Sequence, residues 1–148
     1  MGEELIQEKE SLMGQVKVQV TLRNARDVVM ARLGHLPAAD VHTYTTQALI
    51  DTGATRSVLP PFVAEQLGLI RLSRTEVRYV HGQFEEVDVT EPFLIDLMGR
   101  QASEDALVLG AEVLIGVTVL EKLDLLVDCA RQRLIPNPAH PDQPVFCV

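Results

Sequence analysis

Tryptophan is absent from the chain, and aromatic residues make up only 4% of it. A core must therefore be assembled from Val, Leu and Ile, which favour strands where they alternate. Cysteine is nearly absent. Cys129 and Cys147 have neither metal-ligand spacing nor the density of a disulfide framework, and both are read as reduced structural thiols of a cytoplasmic protein. A basic run is missing as well. With 13 Lys and Arg against 21 Asp and Glu, the net charge is −8, which argues against nucleic acid as a partner, since phosphate contacts supply most of that affinity. No apolar run is long enough to span a membrane. The opening MGEELIQEKE is too acidic for a signal peptide, and Ile6 stands where a myristoylation pattern wants Ser or Thr. The histidines, His35, His42, His81 and His140, show no metal-ligand spacing. No metal and no cofactor is expected, and no repeat of solenoid period is found.

What is present is a globular composition, 47% hydrophobic over 148 residues, enough for one domain with a real core. Residues 1–14 are charged and polar and read as a flexible tail. From Gln15 the pattern becomes period two, with Val16, Val18, Val20 and Leu22 on one face of a half-buried strand. Asn24 to Arg26 is expected to turn the chain, and Asp27 to Leu33 to return as a second strand. Gly34 to Asp40 reads as a loop, and Thr43 to Ile50 as a strand. A short helix is expected over Phe62 to Leu67, entered through Pro60-Pro61 and closed at Gly68. Thr75 to Val80 and Gln83 to Val89 form a hairpin with His81-Gly82 at its tip. Phe93 to Leu97 and Ala106 to Leu109 are expected to form a second hairpin around Met98 to Asp105. Val113 to Gly116 is a short apolar run, Val117 to Leu123 a short helix, and Leu125 to Asp128 and Arg133 to Ile135 are strands. Residues 139–148 are expected to be an extended tail. Short strands at close spacing with one or two small helices predict an all-β fold, closed or sandwiched.

One stretch stands out, Ala48 to Pro60, ALIDTGATRSVLP. It places Asp51 at the mouth of a tight loop between two apolar segments. Apolar strands lead into a core, and an aspartate is rarely buried without a partner. Gly53 permits close backbone approach, and Thr52 offers a hydroxyl for a local hydrogen bond. On its own the pattern also fits a turn that ends a strand.

The order of parts carries more. A strand pair precedes aliphatic-aliphatic-Asp-Thr-Gly-Ala-Thr. A short helix, a Gly-tipped hairpin, a second hairpin, Leu114-Ile115-Gly116, another short helix and a terminal strand pair follow. Over Gln15 to Pro136 this resembles the retroviral-type (retropepsin-like, clan AA) aspartic proteases, most closely their prokaryotic single-domain relatives. The resemblance implies a retropepsin-like closed β-barrel or sandwich over 15–138. It implies that Asp51 is the catalytic carboxylate, with Thr52 and Gly53 shaping its loop and Gly116 supporting it. A flap over Val77 to Glu86 would close on substrate. Ala54, His81, Gly82, Gln83, Leu114 and Ile115 would then contact a peptide. The chain departs from the viral pattern at two places. Thr55 stands where those enzymes have an acid, and Val117 where they have an arginine that pairs with it, so the details of peptide binding do not transfer.

Peptide hydrolysis of this kind needs two carboxylates on one water, one as base and the other as proton donor. The chain has a single Asp-Thr-Gly. Asp128 also follows two aliphatic residues, but Cys129-Ala130-Arg131 cannot form the tight loop, and Asp128 reads as a turn residue of the terminal hairpin. The second carboxylate is therefore expected from a C₂ homodimer that sets Asp51 beside its copy. The reading is an aspartic endopeptidase acting on peptide or protein substrates. A retropepsin-like dimerisation or peptide-binding module with little turnover is the alternative, because a fold does not fix an activity. Phosphoryl transfer through Asp51-x-Gly53-x-Thr55 would need domains that a chain of this length cannot hold. At a hairpin tip His81 more often reads as a solvated turn residue than as a substrate contact, and Glu85-Glu86-Asp88 reads as a solvated hairpin face.

Overall fold

The computed structural model describes residues 15–148, and the tail expected over 1–14 lies outside them. The described residues form strands β1 (Val16–Asn24), β2 (Thr43–Ile50), β3 (Val58–Leu59), β4 (Arg71–Arg78), β5 (Phe84–Thr90), β6 (Phe93–Leu97), β7 (Arg100–Glu104), β8 (Leu107–Val108), β9 (Leu114–Ile115), β10 (Leu125–Asp128) and β11 (Arg133–Pro136). Three short α-helices, α1 (Ala25–Arg32), α2 (Pro61–Gln66) and α3 (Val117–Leu123), and a 3₁₀ turn over Ala38–Asp40 interrupt them. The class is all-β, as expected. One sheet runs in the order β4-β5-β8-β3-β9-β2-β1-β6-β7, and β10 pairs only with β11. The large sheet curls into a half-barrel, with β4 and β7 at its two edges.

The alternation read in β1 holds. Val16, Val20 and Leu22 are buried in the core. There they meet Ala48 and Ile50 of β2, Ile95 of β6, Ile115 of β9 and Leu120 of α3. Both termini of α3 fall where the sequence placed them, and the left-handed Asp124 ends it.

Two elements differ from expectation. The stretch read as a return strand, Asp27 to Leu33, lies mostly in helix α1. Its cause is Asn24, whose Oδ1 accepts from the Asp27 amide at 3.1 Å and whose Nδ2 donates to the Leu67 carbonyl at 2.8 Å. A helix capped in this way has one of its orphan first-turn donors satisfied. α1 buries none of its residues, so it shows no apolar stripe for periodicity to reveal. The second correction concerns β6. It returns at once through Met98 and Gly99, both with positive φ (52° and 74°), into β7. Leu107-Val108 is instead β8, which crosses over to pair with β3 and β5.

The last segment is not simply extended. The His140 amide donates to the Asn137 carbonyl at 2.8 Å, closing a turn. Asn137, His140 and Val145 all donate to the Asp124 carboxylate, at 3.0, 2.7 and 3.2 Å. Cys129 and Cys147 are free thiols, as expected, but both are exposed, so neither has the structural role read for it.

Candidate active site

The site is built where β2 ends. β9 lies between β2 and β3, parallel to the first through Leu49–Leu114 and Ile50–Ile115, and antiparallel to the second through Val58–Leu114. The loop from Asp51 to Ser57 joins β2 to β3 and must therefore pass over the end of β9. That geometry puts Gly116 directly under it. A Cβ at Gly116 would lie 2.8 Å from the Thr55 carbonyl oxygen and 2.8 Å from the Arg56 carbonyl carbon. No side chain fits there without displacing backbone.

Hydrogen bonds fix the loop at both ends and in the middle. The Asp51 amide donates to the Ile115 carbonyl at 3.0 Å, and the Val117 amide donates to the Ala54 carbonyl at 2.9 Å. The Gly116 amide donates to the Ser57 hydroxyl oxygen at 3.1 Å. Within the loop, Asp51 Oδ1 accepts from the Gly53 amide at 3.0 Å, and the Asp51 carbonyl from the Ala54 amide at 3.1 Å. This orients the carboxylate at the loop's mouth and leaves Oδ2 outside that bond. Asp51 and Ala54 are half-buried, while Thr52 and Gly53 are exposed.

The residues expected at the site separate into two groups. Asp51, Thr52, Gly53, Ala54, Leu114, Ile115 and Gly116 are brought together. Of these, Ile115 is 1% exposed and belongs to the core, so its side chain braces the loop from below instead of facing a ligand. His81, Gly82 and Gln83 sit at the β4–β5 tip. There the Tyr79 amide donates to the Gln83 carbonyl at 2.8 Å and the Gly82 amide to the Tyr79 carbonyl at 2.9 Å. Gly82 takes φ +88°, which its lack of a side chain permits. The His81 ring stacks on Tyr79, centroids 5.5 Å apart. The Tyr79 hydroxyl donates to Glu85, which raises the phenol above its ordinary value. The acidic hairpin face is not merely solvated. Glu86 and Asp88 each lie 3.4 Å from Arg74 across the strand pair. Asp128, read as a turn residue, is the last residue of β10, paired with Arg133, and its side chain caps the turn that follows. Its Oδ1 accepts from the Arg131 amide at 3.2 Å.

Sequence reasoning missed the loop's supports. Ser57 is buried, 1% exposed, and a hydroxyl opening an otherwise apolar segment was the available signal, because buried polar groups are hydrogen-bonded. Thr118 and Glu104 had no such signal. The Thr118 Oγ1 lies 2.9 Å from the Thr55 carbonyl and 3.0 Å from Glu104 Oε2. Arg56 pairs with Asp105 at 2.5 Å. The segments of Thr55 and Val117 are thus joined through the Thr118 hydroxyl and through the Val117 amide, which donates to Ala54.

No protein-family model matches the chain, and no curated protein matches it. Among solved structures it is similar to one titled EIAV protease complexed with the inhibitor HBY-793, with 28% identity over 53% of this chain and 76% of that one, at a TM-score of 0.44. Among the described residues no cluster of three or more His, Cys, Asp and Glu is placed to hold a metal ion, and no helix is long and apolar enough to cross a membrane.

Proposed function

We propose that this chain is an aspartic endopeptidase that works as a C₂ homodimer, with Asp51 of each copy supplying one carboxylate. The supporting observation is the loop itself. An aspartate following a strand that turns into the core at Ala48 and Ile50 is held by its own Asp-Thr-Gly turn and pinned over Gly116, with one carboxylate oxygen bound to the Gly53 amide. Asp51 is half-buried and the adjoining Thr52 and Gly53 are exposed, which suits apposition of a second loop by a two-fold axis.

In the dimer the two carboxylates cannot both ionise at close range, so they titrate as a pair and one stays protonated. The ionised one takes a proton from water as that water attacks the peptide carbonyl. The protonated one donates to the carbonyl oxygen. Thr52 and Gly53 hold the loop, Gly116 supports it, and Ala54 and Leu114 flank the peptide. The β4–β5 hairpin, with His81, Gly82 and Gln83 at its tip, covers it.

Asp51→Asn should lower cleavage of a mixed peptide library by about a thousandfold or more, while circular dichroism and sedimentation remain those of the parent dimer. Undiminished cleavage by Asp51→Asn, or a strict monomer at high concentration, would sink the paired-carboxylate mechanism. Peptide binding without turnover by the parent protein would favour a non-catalytic peptide-binding module instead.

A further inference from the structure

The β4–β5 hairpin has two faces of different chemistry, and its register separates them. Val87 and Val89 of β5 are 4% and 7% exposed, so they mark the face turned to the core. Side chains alternate along a strand, which puts Glu85 on that inner face as well. Across the pair, Glu85, Val87 and Val89 lie opposite Val77, Thr75 and Ser73 of β4. Burial keeps the same parity there. Thr75, Val77 and then Tyr79 are half-buried, while Arg74, Glu76, Arg78 and Val80 are exposed.

The outer face answers its own charges. Arg74 lies 3.4 Å from both Glu86 and Asp88, Arg71 lies 3.7 Å from Asp88, and the Arg78 guanidinium sits 5.4 Å from the centre of the Phe84 ring. On the inner face Glu85 is the one charged residue of the paired strands between Ser73 and Val89. Its partner among the described residues is neutral, the donating hydroxyl of Tyr79.

We propose that Glu85 is a specificity residue that selects peptides with a lysine or arginine beside the cleaved bond. This rests on the reading of the chain as a dimeric peptidase covered by its β4–β5 hairpin. The face that the hairpin carries out of the core is then the face it turns to a peptide over the Asp51 loop. Covering a peptide takes Glu85 out of water. A carboxylate has about four acceptor sites, and Tyr79 serves one of them. An apolar or acidic peptide side chain would leave a desolvated charge without compensation. An ammonium or guanidinium supplies the missing donors. The His81 ring stacks on Tyr79 with centroids 5.5 Å apart, and its Nδ1 accepts from the Gln83 amide at 3.3 Å. The stacked rings give the aliphatic stem of a lysine or arginine an apolar wall near the carboxylate. The net charge of −8 draws cationic peptides to the chain as a whole. A two-fold axis repeats Glu85 across the cleft, so a basic residue is favoured on either side of the cleaved bond.

The test is cleavage by the full-length chain of matched peptides that carry lysine, norleucine or glutamate beside the cleaved bond. All are measured at one pH, which keeps the protonation of the Asp51 pair the same in every arm. The same peptides are titrated by fluorescence anisotropy against Asp51→Asn, alone and combined with Glu85→Gln, to read recognition without turnover. The parent should prefer lysine to norleucine and norleucine to glutamate. Glu85→Gln keeps an acceptor for Tyr79 but removes the charge. It should lower the lysine-to-norleucine ratio about five- to tenfold, in kcat/KM and in affinity, the difference between a charged and a neutral hydrogen bond. Glu85→Lys should turn the preference towards glutamate. Tyr79→Phe removes the internal bond and leaves the charge, so it should keep the lysine preference.

The inference fails if Glu85→Gln leaves the ratio unchanged. It fails equally if Tyr79→Phe lowers the ratio as much as Glu85→Gln does, because Glu85 would then act by bracing the hairpin. A chain that cleaves nothing but binds lysine peptides in a Glu85-dependent way would refute the peptidase reading and leave the recognition standing. Cleavage with no Glu85-dependent preference would do the reverse.

Discussion

Gly116 is needed for the side chain it lacks, not for backbone freedom. Its φ and ψ of −82° and 170° are open to any residue. Its Cβ position, however, is already occupied by the loop backbone, at 2.8 Å from both the Thr55 oxygen and the Arg56 carbon. Gly82 is the opposite case, with positive φ and open space around it. Gly116→Ala is therefore expected to cost about 1–3 kcal/mol by overpacking, measured by urea denaturation, and to raise amide exchange across Gly53 to Ser57. A neutral outcome would mean that the loop relaxes freely and is not pinned from below. The importance of Gly116 was legible in the chain because it follows Leu114-Ile115 in a recognisable order. The reason was not, because it depends on which backbone lies above it. Ser57 and Thr118 were less legible still. One short hydroxyl side chain looks like another until its partner, 59 or 63 residues away, is in place.

At the level of elements, what could be read was what is amphipathic. β1, β2, β5 and β6 show alternation because one face meets the core. α1 and β7 could not be read, for the same reason reversed. α1 buries none of its residues, and β7 is a polar edge strand whose buried Arg100 breaks the pattern. A helix without burial must rest on its cap and its partners. Asn24 is 1% exposed and makes three bonds, accepting from the Asp27 amide and donating to the Leu67 and Gly68 carbonyls at 2.8 and 3.3 Å. Asn24→Ala removes the cap and leaves the Leu67 carbonyl without this donor, a loss of about 2 kcal/mol. Exchange of the α1 amides should rise well above that of β1. Asn24→Asp keeps the acceptor but loses the donor, and should fall between the two if both bonds matter. If Asn24→Ala leaves α1 protected, the helix is held by something other than its cap.

For the whole molecule, the chain order suggested the loop and its support but not the insertion of β9 between β2 and β3. A parallel pair of two-residue strands, Leu49–Leu114 and Ile50–Ile115, leaves no mark in either segment alone. Two carboxylates outside that loop each join separate segments of the chain. Glu91, 6% exposed, accepts from Arg26 at 2.7 and 2.9 Å and from the Ile70 amide at 2.6 Å. The Arg26 hydrogen bonds hold it below its ordinary 4.5. Asp124 is held below its ordinary 3.8 by the donors of the last segment, Asn137 foremost and His140 next. Both groups bind fewer protons folded than unfolded. The stability they supply is therefore complete above their unfolded values and is lost as pH falls through the lower folded ones. The melting temperature should fall below about pH 4.5, the ordinary glutamate value. Glu91→Gln should lower it at neutral pH and flatten its fall in acid. A parent protein equally stable at about pH 3 and about pH 7 would show that these bonds are not retained in solution. The acid limb of any activity profile must therefore be compared with the melting curve. Where activity falls before the fold does, the loss belongs to the site and supports the proposed Asp51 pair. Where the two fall together, it belongs to Glu91 and Asp124.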